Sequence, residues 1–428
     1  MNEPNYLLDI ASWHTRSSGF RAIPSICSAH PFVIEAAMRH ALKTGSPLLI
    51  EATCNQVNQE GGYTGMTPAD FRRFTEQIAA RTGFPMKDLI LGGDHLGPNP
   101  WKSLPADEAM DKACDMIRAY AAAGFTKLHL DASMGCLGEP IALADELTAS
   151  RASRLAAAAE NALDGLEGIK PVYIIGTEVP IPGGAMEELD ILEVTKPEAV
   201  LRTVDIHAQA FEAAGVESAF ARVIGVVVQP GVEFGNHNVI PYAPEKARAL
   251  SESLDHLPNF VFEAHSTDYQ TREALRQLVL DGFAILKVGP GLTFALREAL
   301  YGLDQIAGFL FPEVRGTTLV ATTERVMIEQ PSHWDKYYHG NPAEQHLQRH
   351  YSYSDRIRYY WPEAEIAKAV SDLLAVFDGQ VIPETLVSQH LRALYPGVRA
   401  GRIQPTAQGL IIGAIELVLD DYFEACVS

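Results

Sequence analysis

Two hydrophobic rhythms alternate along this chain. Eight short apolar runs punctuate its first three hundred residues: Ile23–His30, Leu48–Asn55, Leu89–Gly97, Lys127–Ser133, Val172–Pro180, Val223–Gly231, Phe260–Thr267 and Ala284–Thr293. Nearly all of them end in polar residues able to do chemistry. Stretches between them carry apolar residues at helical spacing, such as Phe71, Phe74 and Ile78, or Met110, Cys114 and Ile117. Several of these helical patterns stop at glycine, at Gly45, Gly83, Gly124, Gly215 and Gly282, a residue suited to the left-handed position that closes a helix. Runs such as Tyr173-Ile174-Ile175 and Ile224-Gly225-Val226-Val227-Val228 are apolar on both faces, as parallel strands covered by helices require. The repeat predicts an α/β fold, a (β/α)8 TIM barrel, with its functional groups at the C-terminal ends of the strands.

The eight-fold pattern ends near Gly302. A barrel typically takes about 250 residues, so the division expected is a barrel over residues 1–302 and a helical extension, packed on it, over 303–428. In the extension one helix starts after Trp361-Pro362 and carries Ile366, Ala369, Val370, Leu373, Leu374 and Phe377, with Gly379 beyond its end. Another carries Leu410, Ile411, Ala414, Ile415, Val418 and Tyr422. Tyr337–Trp361, rich in Tyr, His and Arg, lacks clear periodicity and reads as a lid or partner surface.

Composition narrows the partners. The chain is 47% hydrophobic and 21% charged, with a net charge of −20 and a pI near 5.1. That surface repels nucleic acid but leaves room for a locally positive site that takes a phosphorylated metabolite. Met1–Ser18 has no apolar core of a signal peptide, and the longest apolar stretch, Leu410–Leu419, is too short to span a bilayer. Five cysteines form no CxxC pair, so reduced thiols and a cytoplasmic location are expected, with no membrane association.

The strand ends carry the chemistry. The third run ends Gly92-Gly93-Asp94-His95-Leu96-Gly97, an Asp-His pair whose adjacent side chains are expected to point in different directions. The seventh ends Glu263-Ala264-His265-Ser266-Thr267-Asp268, the fifth reaches Glu178, and the sixth reaches Gln229, with His237 further on. Two imidazoles with a carboxylate or amide can hold a zinc-like cation with an open position. A histidine at a strand end serves equally as a substrate hydrogen-bonder or a structural residue. His129 and Asp131 share one side of the fourth strand. Asp131 and Ser133 read as substrate contacts, His129 as a core residue. The eighth run enters Gly289-Pro290-Gly291-Leu292-Thr293 and a helix. An anion site is expected there from Ser266, Thr267, Gly289, Gly291 and Thr293, a tight turn without ligand being the alternative. Asn55 and Gln56, in an amide-rich loop, suit sugar hydroxyls, an ordinary polar loop being the equal alternative. Arg356 and Arg358 are candidate anion clamps, with plain surface arginines the commoner alternative.

In combination these stretches resemble the GatZ/KbaZ family, named for a subunit of D-tagatose-1,6-bisphosphate aldolase and related to class II, metal-dependent aldolases. The matching segments are Ile23–His30, Glu51–Gly62, Gly92–Pro100, Lys127–Pro140, Gly176–Gly184, Gln229–Asn236, Glu263–Gln270, Lys287–Thr293 and His350–Trp361. The resemblance implies Asp94 as acid–base carboxylate, Glu178 beside it, and His95 and His265 as ligands of a divalent metal, zinc by analogy. The usual histidine after strand six is not matched in place; Gln229 stands near there. Two activities are implied: metal-assisted C4 epimerisation of tagatose 6-phosphate by retro-aldol and aldol steps, or a non-catalytic subunit stabilising a class II tagatose-bisphosphate aldolase chain. Self-association is a further expectation. Some relatives are described as tagatose-6-phosphate kinases, but no GxxxxGK[ST] run occurs here.

Overall fold

The computed structural model describes residues 5–14, 21–177, 192–313 and 318–427. Eight strands, β1 (Ile23–Cys27), β2 (Leu48–Thr53), β3 (Leu89–Leu96), β4 (Lys127–Leu130), β5 (Val172–Ile175), β6 (Val223–Val228), β7 (Val261–Ala264) and β8 (Phe283–Val288), close into a barrel. Every neighbouring pair is parallel, and β1 pairs with β8 through Ile23 opposite Ile285. A helix follows each strand: α1 (Pro31–Thr44), α2 (Pro68–Thr82), α3 (Ala106–Ala122), α4 (Asp145–Ala162), α5 (Pro197–Ala213), α6 (Pro244–Glu252), α7 (Arg272–Leu280) and α8 (Pro290–Leu310). The fold is a (β/α)8 barrel. Helix α2 illustrates the local cause: Thr67 and Asp70 form a capping box, Pro68 sits in the first turn, and Gly83 closes the helix at φ 75°.

Six helices follow: α9 (Leu319–Glu329), α10 (Pro342–Tyr351), α11 (Ala364–Val376), α12 (Glu384–His390), α13 (Tyr395–Arg399) and α14 (Ala407–Cys426). Helix α10 lies inside the segment without clear periodicity; its sequence signal is the Asn341/Glu344 capping box with Pro342. The last helix, α14, packs against β1, α1, α7 and α8. It is tied there by Lys43–Glu416 at 2.6 Å, Arg272–Asp421 at 2.7 Å and a backbone bond from Ala22 N–H to the Cys426 carbonyl at 3.0 Å. The chain's final turn thus covers its first barrel strand.

The barrel's interior departs from the apolar expectation. The inward positions of β2, β4, β7 and β8 hold Glu51, Lys127, Glu263 and Lys287, all buried. Lys127 Nζ lies 2.7 Å from both Glu51 Oε1 and Glu263 Oε2, and Lys287 Nζ lies 3.0 Å from Glu51 Oε2. Ser25 donates to Glu51 Oε1 at 2.6 Å. Burial lowers a lysine's pKa, but Glu263 and Glu51 outweigh it and hold Lys127 above its ordinary value. Gly92 leaves room for this pair, since a Cβ there would stand 2.7 Å from Glu51 Cγ. Lys127→Met removes one of the two ammonium groups these buried carboxylates share and leaves Glu263 with Lys287 at 3.7 Å, so urea unfolding is expected to show a loss of about 3–5 kcal/mol. An unchanged midpoint would mean that the network carries no stability.

Candidate active site

A cavity opens at the C-terminal ends of the strands, lined by Asp94 and His95 from β3, His265 and Ser266 after β7, and Lys287 and Gly289 from β8. Asn55, Gln56 and Tyr63 line it from the loop after β2, and Arg358 and Tyr359 from a 3-10 turn, Arg356–Tyr360, in the extension. Contrary to the expected divergence of adjacent side chains, Asp94 and His95 both face this cavity. The reason is the backbone: His95 is left-handed at φ 49°, and Ser266 after β7 at φ 53°. Non-glycine residues held in that region cost about 1–3 kcal/mol each and cluster at functional sites. Gly97 lets β3 close on β4, because any Cβ there would overlap the Asp131 carbonyl.

Three imidazoles meet here: His95 and His265 line the cavity, and His129 is buried against them. Ring centroids lie 5.1 Å apart for His95 and His129, 4.8 Å for His95 and His265, and 5.2 Å for His129 and His265. Asp94, His129, Glu263 and His265 each offer one donor atom, all within 4.8 Å of one another. His129 Nδ1 contacts Asp94 Oδ1 at 3.0 Å, while its Nε2 is buried without a hydrogen-bond partner. Its reading as a satisfied core histidine is therefore corrected. The alternation that puts His129 on the same side of β4 as Asp131 puts the buried Lys127 there too, which marks that side as polar. Asp131 and Ser133 are engaged with the protein itself: Asp131 Oδ2 holds His95 Nδ1 at 2.8 Å, its Oδ1 accepts from Ser133 Oγ at 2.8 Å, and neither residue lines the cavity. A carboxylate on one ring nitrogen orients the other toward a ligand.

The donor set suits a cation. Around it Asp94, Glu51 and Glu263 outnumber the ammonium groups of Lys127 and Lys287, so negative charge is in excess. Burial raises Asp94, but His95 and Lys287, the latter 2.9 Å from Oδ1, hold it well below the usual carboxylate range. Burial pushes His265 down to about 4, against the pull of Glu263 at 2.9 Å, so its ring is neutral and able to ligate. Gln229 does not join this set. Its side-chain oxygen accepts from Gly231 N–H at 2.8 Å and Val232 N–H at 3.1 Å, which spends it on its own turn. Glu178 lies outside the described residues.

The turn after β8 is filled differently from expectation. The N–H groups of Gly289 and Gly291 donate to Asp268 Oδ1 at 2.9 and 2.8 Å, so an internal carboxylate occupies the helix end. Thr267 Oγ1 donates to the Lys287 carbonyl at 2.6 Å, and Thr293 Oγ1 donates to Pro290 and Asp355 oxygens. Thr267, Gly291 and Thr293 do not line the cavity; Ser266 and Gly289 do. Arg356 is also turned away: its Nε donates to the His333 carbonyl and its guanidinium lies 3.3 Å from the Tyr337 ring centroid. The arginine that reaches the cavity is Arg358.

Fold and site together define a (β/α)8 barrel protein with a buried histidine–carboxylate cluster, of a kind that can hold a metal ion, at the C-terminal ends of its strands. The chain belongs to the GatZ/KbaZ-like family of D-tagatose-1,6-bisphosphate aldolase subunits, whose model matches residues 7–427. A solved structure named as a probable tagatose 6 phosphate kinase from Sinorhizobium meliloti 1021 is 63% identical, with a TM-score of 0.89 over 95% of this chain and 100% of that one. The fructose-bisphosphate aldolase of Campylobacter jejuni matches at 14% identity and a TM-score of 0.44, over 91% of this chain and 94% of its own. The YdjI aldolase of Escherichia coli K12 matches at 13% and 0.43, over 86% and 100%. None of the described helices is long and apolar enough to cross a membrane.

Proposed function

We propose that this chain is a ketose-phosphate 4-epimerase that interconverts tagatose 6-phosphate and fructose 6-phosphate by retro-aldol and aldol steps. The observation that carries this reading is Asp94: an ionised carboxylate on the cavity wall, beside three converging imidazoles. His129, His265, Asp94 and Glu263 offer donor atoms within 4.8 Å of one another, and the His95 ring lies 4.8 Å from that of His265; together they would hold a divalent cation, and the imidazole-rich set suits zinc. When bound, such a cation supplies Lewis-acid stabilisation of negative charge on a substrate oxygen. The chain's own groups do the rest. Asp94 takes the C4 hydroxyl proton, the C3–C4 bond opens, and its electron pair passes into a C2–C3 enediolate, leaving C4 as an aldehyde. The aldehyde turns and C3 adds back through its other face. Arg358 would clamp the phosphate, with Ser266 and Gly289 on the same cavity, and Asn55 and Gln56 would meet the sugar hydroxyls.

The kinase description of the relative does not suit this site, because the helix end that would cradle a polyphosphate already holds Asp268. A second reading, a stabilising subunit for a class II tagatose-bisphosphate aldolase chain, draws support from the family description and from the absence of a ligand at Gln229. The deciding experiment uses the purified chain alone, loaded with zinc, and follows conversion of tagatose 6-phosphate to fructose 6-phosphate by NMR. Conversion supports the enzyme. No conversion, together with stimulation of an added aldolase, overturns it in favour of the subunit.

A further inference from the structure

Epimerisation sets a requirement that Asp94 does not meet. When the aldehyde turns, its oxygen leaves the side from which its proton was taken. Asp94 cannot follow, because Oδ1 is held by Lys287 at 2.9 Å and by His129 at 3.0 Å at the end of a barrel strand. A second proton-transfer group has to stand elsewhere on the cavity wall.

We propose that the Tyr359 hydroxyl is that group, donating a proton to O4 when C3 adds back through the opposite face of the aldehyde. This rests on the epimerase reading given above. Tyr359 lines the same cavity as Asp94 but comes from the extension, not from a strand. Its ring is fixed on three sides: His333 stacks on it at 5.1 Å with the planes 10° apart, Tyr63 meets it edge-on at 4.8 Å, and the Arg356 guanidinium lies 4.9 Å from its centroid. Its oxygen accepts from Arg358 Nη2 at 3.1 Å, so a phenolate formed there is met by a guanidinium donor. Burial raises a tyrosine's pKa, yet Arg358 and Arg356 outweigh it and bring Tyr359 below its ordinary value. Tyr63, the other phenol on this wall, is pushed up by burial and is a poor choice for either direction of transfer.

The step balances. The enediolate's electron pair forms the new C3–C4 bond, the carbonyl π pair moves onto O4, and O4 takes the Tyr359 proton. Asp94 is then protonated and Tyr359 is a phenolate, and solvent water relays one proton from the first to the second. The reverse reaction exchanges the two roles.

The test separates cleavage from inversion. Opening of C3–C4 in a ketose 6-phosphate produces glyceraldehyde 3-phosphate, which a coupled dehydrogenase traps when it escapes. Tyr359→Phe, checked for an unchanged melting midpoint, is expected to lose about a hundred- to ten-thousand-fold in epimer formation, while release of glyceraldehyde 3-phosphate stays at or above the wild-type rate. Near wild-type epimerisation in Tyr359→Phe overturns the assignment, and so does an equal loss of cleavage and epimerisation, which marks a positioning role only. A wild-type chain that yields neither epimer nor aldehyde phosphate overturns the epimerase reading itself, and this inference with it. If Tyr359→Phe proves unstable, 3-fluorotyrosine at this position keeps the ring contacts and makes the hydroxyl more acidic. It is expected to move the basic limb of the pH–rate profile to lower pH, and an unmoved limb counts against Tyr359.

Discussion

Replacing Asp94 by asparagine is expected to leave the barrel folded and to reduce turnover by about a hundred- to ten-thousand-fold, the usual loss when a general acid–base group is removed. The amide is nearly isosteric, and Lys287 retains Glu51 at 3.0 Å, so no buried ammonium is left alone. What disappears is the capacity to accept the C4 hydroxyl proton. Asp94 is ionised throughout the neutral range because His95 and Lys287 hold its pKa well below the usual carboxylate value in spite of burial. Single-turnover rates and binding of tagatose 6-phosphate, measured on the same preparation, check the claim. An Asp94→Asn chain that binds and turns over like the parent would remove Asp94 from the mechanism.

The second large effect concerns the cation. His129→Ala is expected to abolish zinc retention after dialysis, because it removes one of three converging imidazoles. Asp131→Asn keeps the ligands but loosens the orientation of His95, and it should weaken zinc by about 10–100-fold. Gln229→Ala should change neither, since its side-chain oxygen is bound to Gly231 and Val232. Zinc titration followed by metal analysis reads all three variants. Retention by His129→Ala, or loss in Gln229→Ala, would restore the strand-six ligand in place of the strand-four one.

Much of this site is legible in the order of residues. The strand–helix–glycine rhythm specifies the barrel, and the barrel specifies which ends to inspect; Asp94, His95 and His265 follow from that alone. His129 did not, because a histidine one turn of the pleat inside an apolar run resembles packing until its neighbours on adjacent strands are known. Lys127, Glu51 and Glu263 were hidden for the same reason: ion pairs between strands far apart in sequence leave no local period. Arg356 and Arg358 are two residues apart in one short turn, and only the packing of Arg356 on Tyr337 decides which of them faces the cavity. The β8 turn reads as an anion cradle and is one, but the anion is Asp268, supplied by the loop after β7.

The position of α14 has a consequence for how the molecule comes into being. Strand β1 begins at Ile23, yet the helix that covers it runs from Ala407 to Cys426, so the two meet only across nearly the whole barrel sequence. Until α14 is made and docks, the apolar faces of β1, α1 and α7 stand open to water and to other nascent chains. Contacts of such long sequence range form slowly and leave intermediates exposed to aggregation. The barrel is therefore a structure sealed only when α14 arrives. A frameshift or nick that removes residues 407–428 would spare every cavity-lining residue named above and still deny the cell a usable protein.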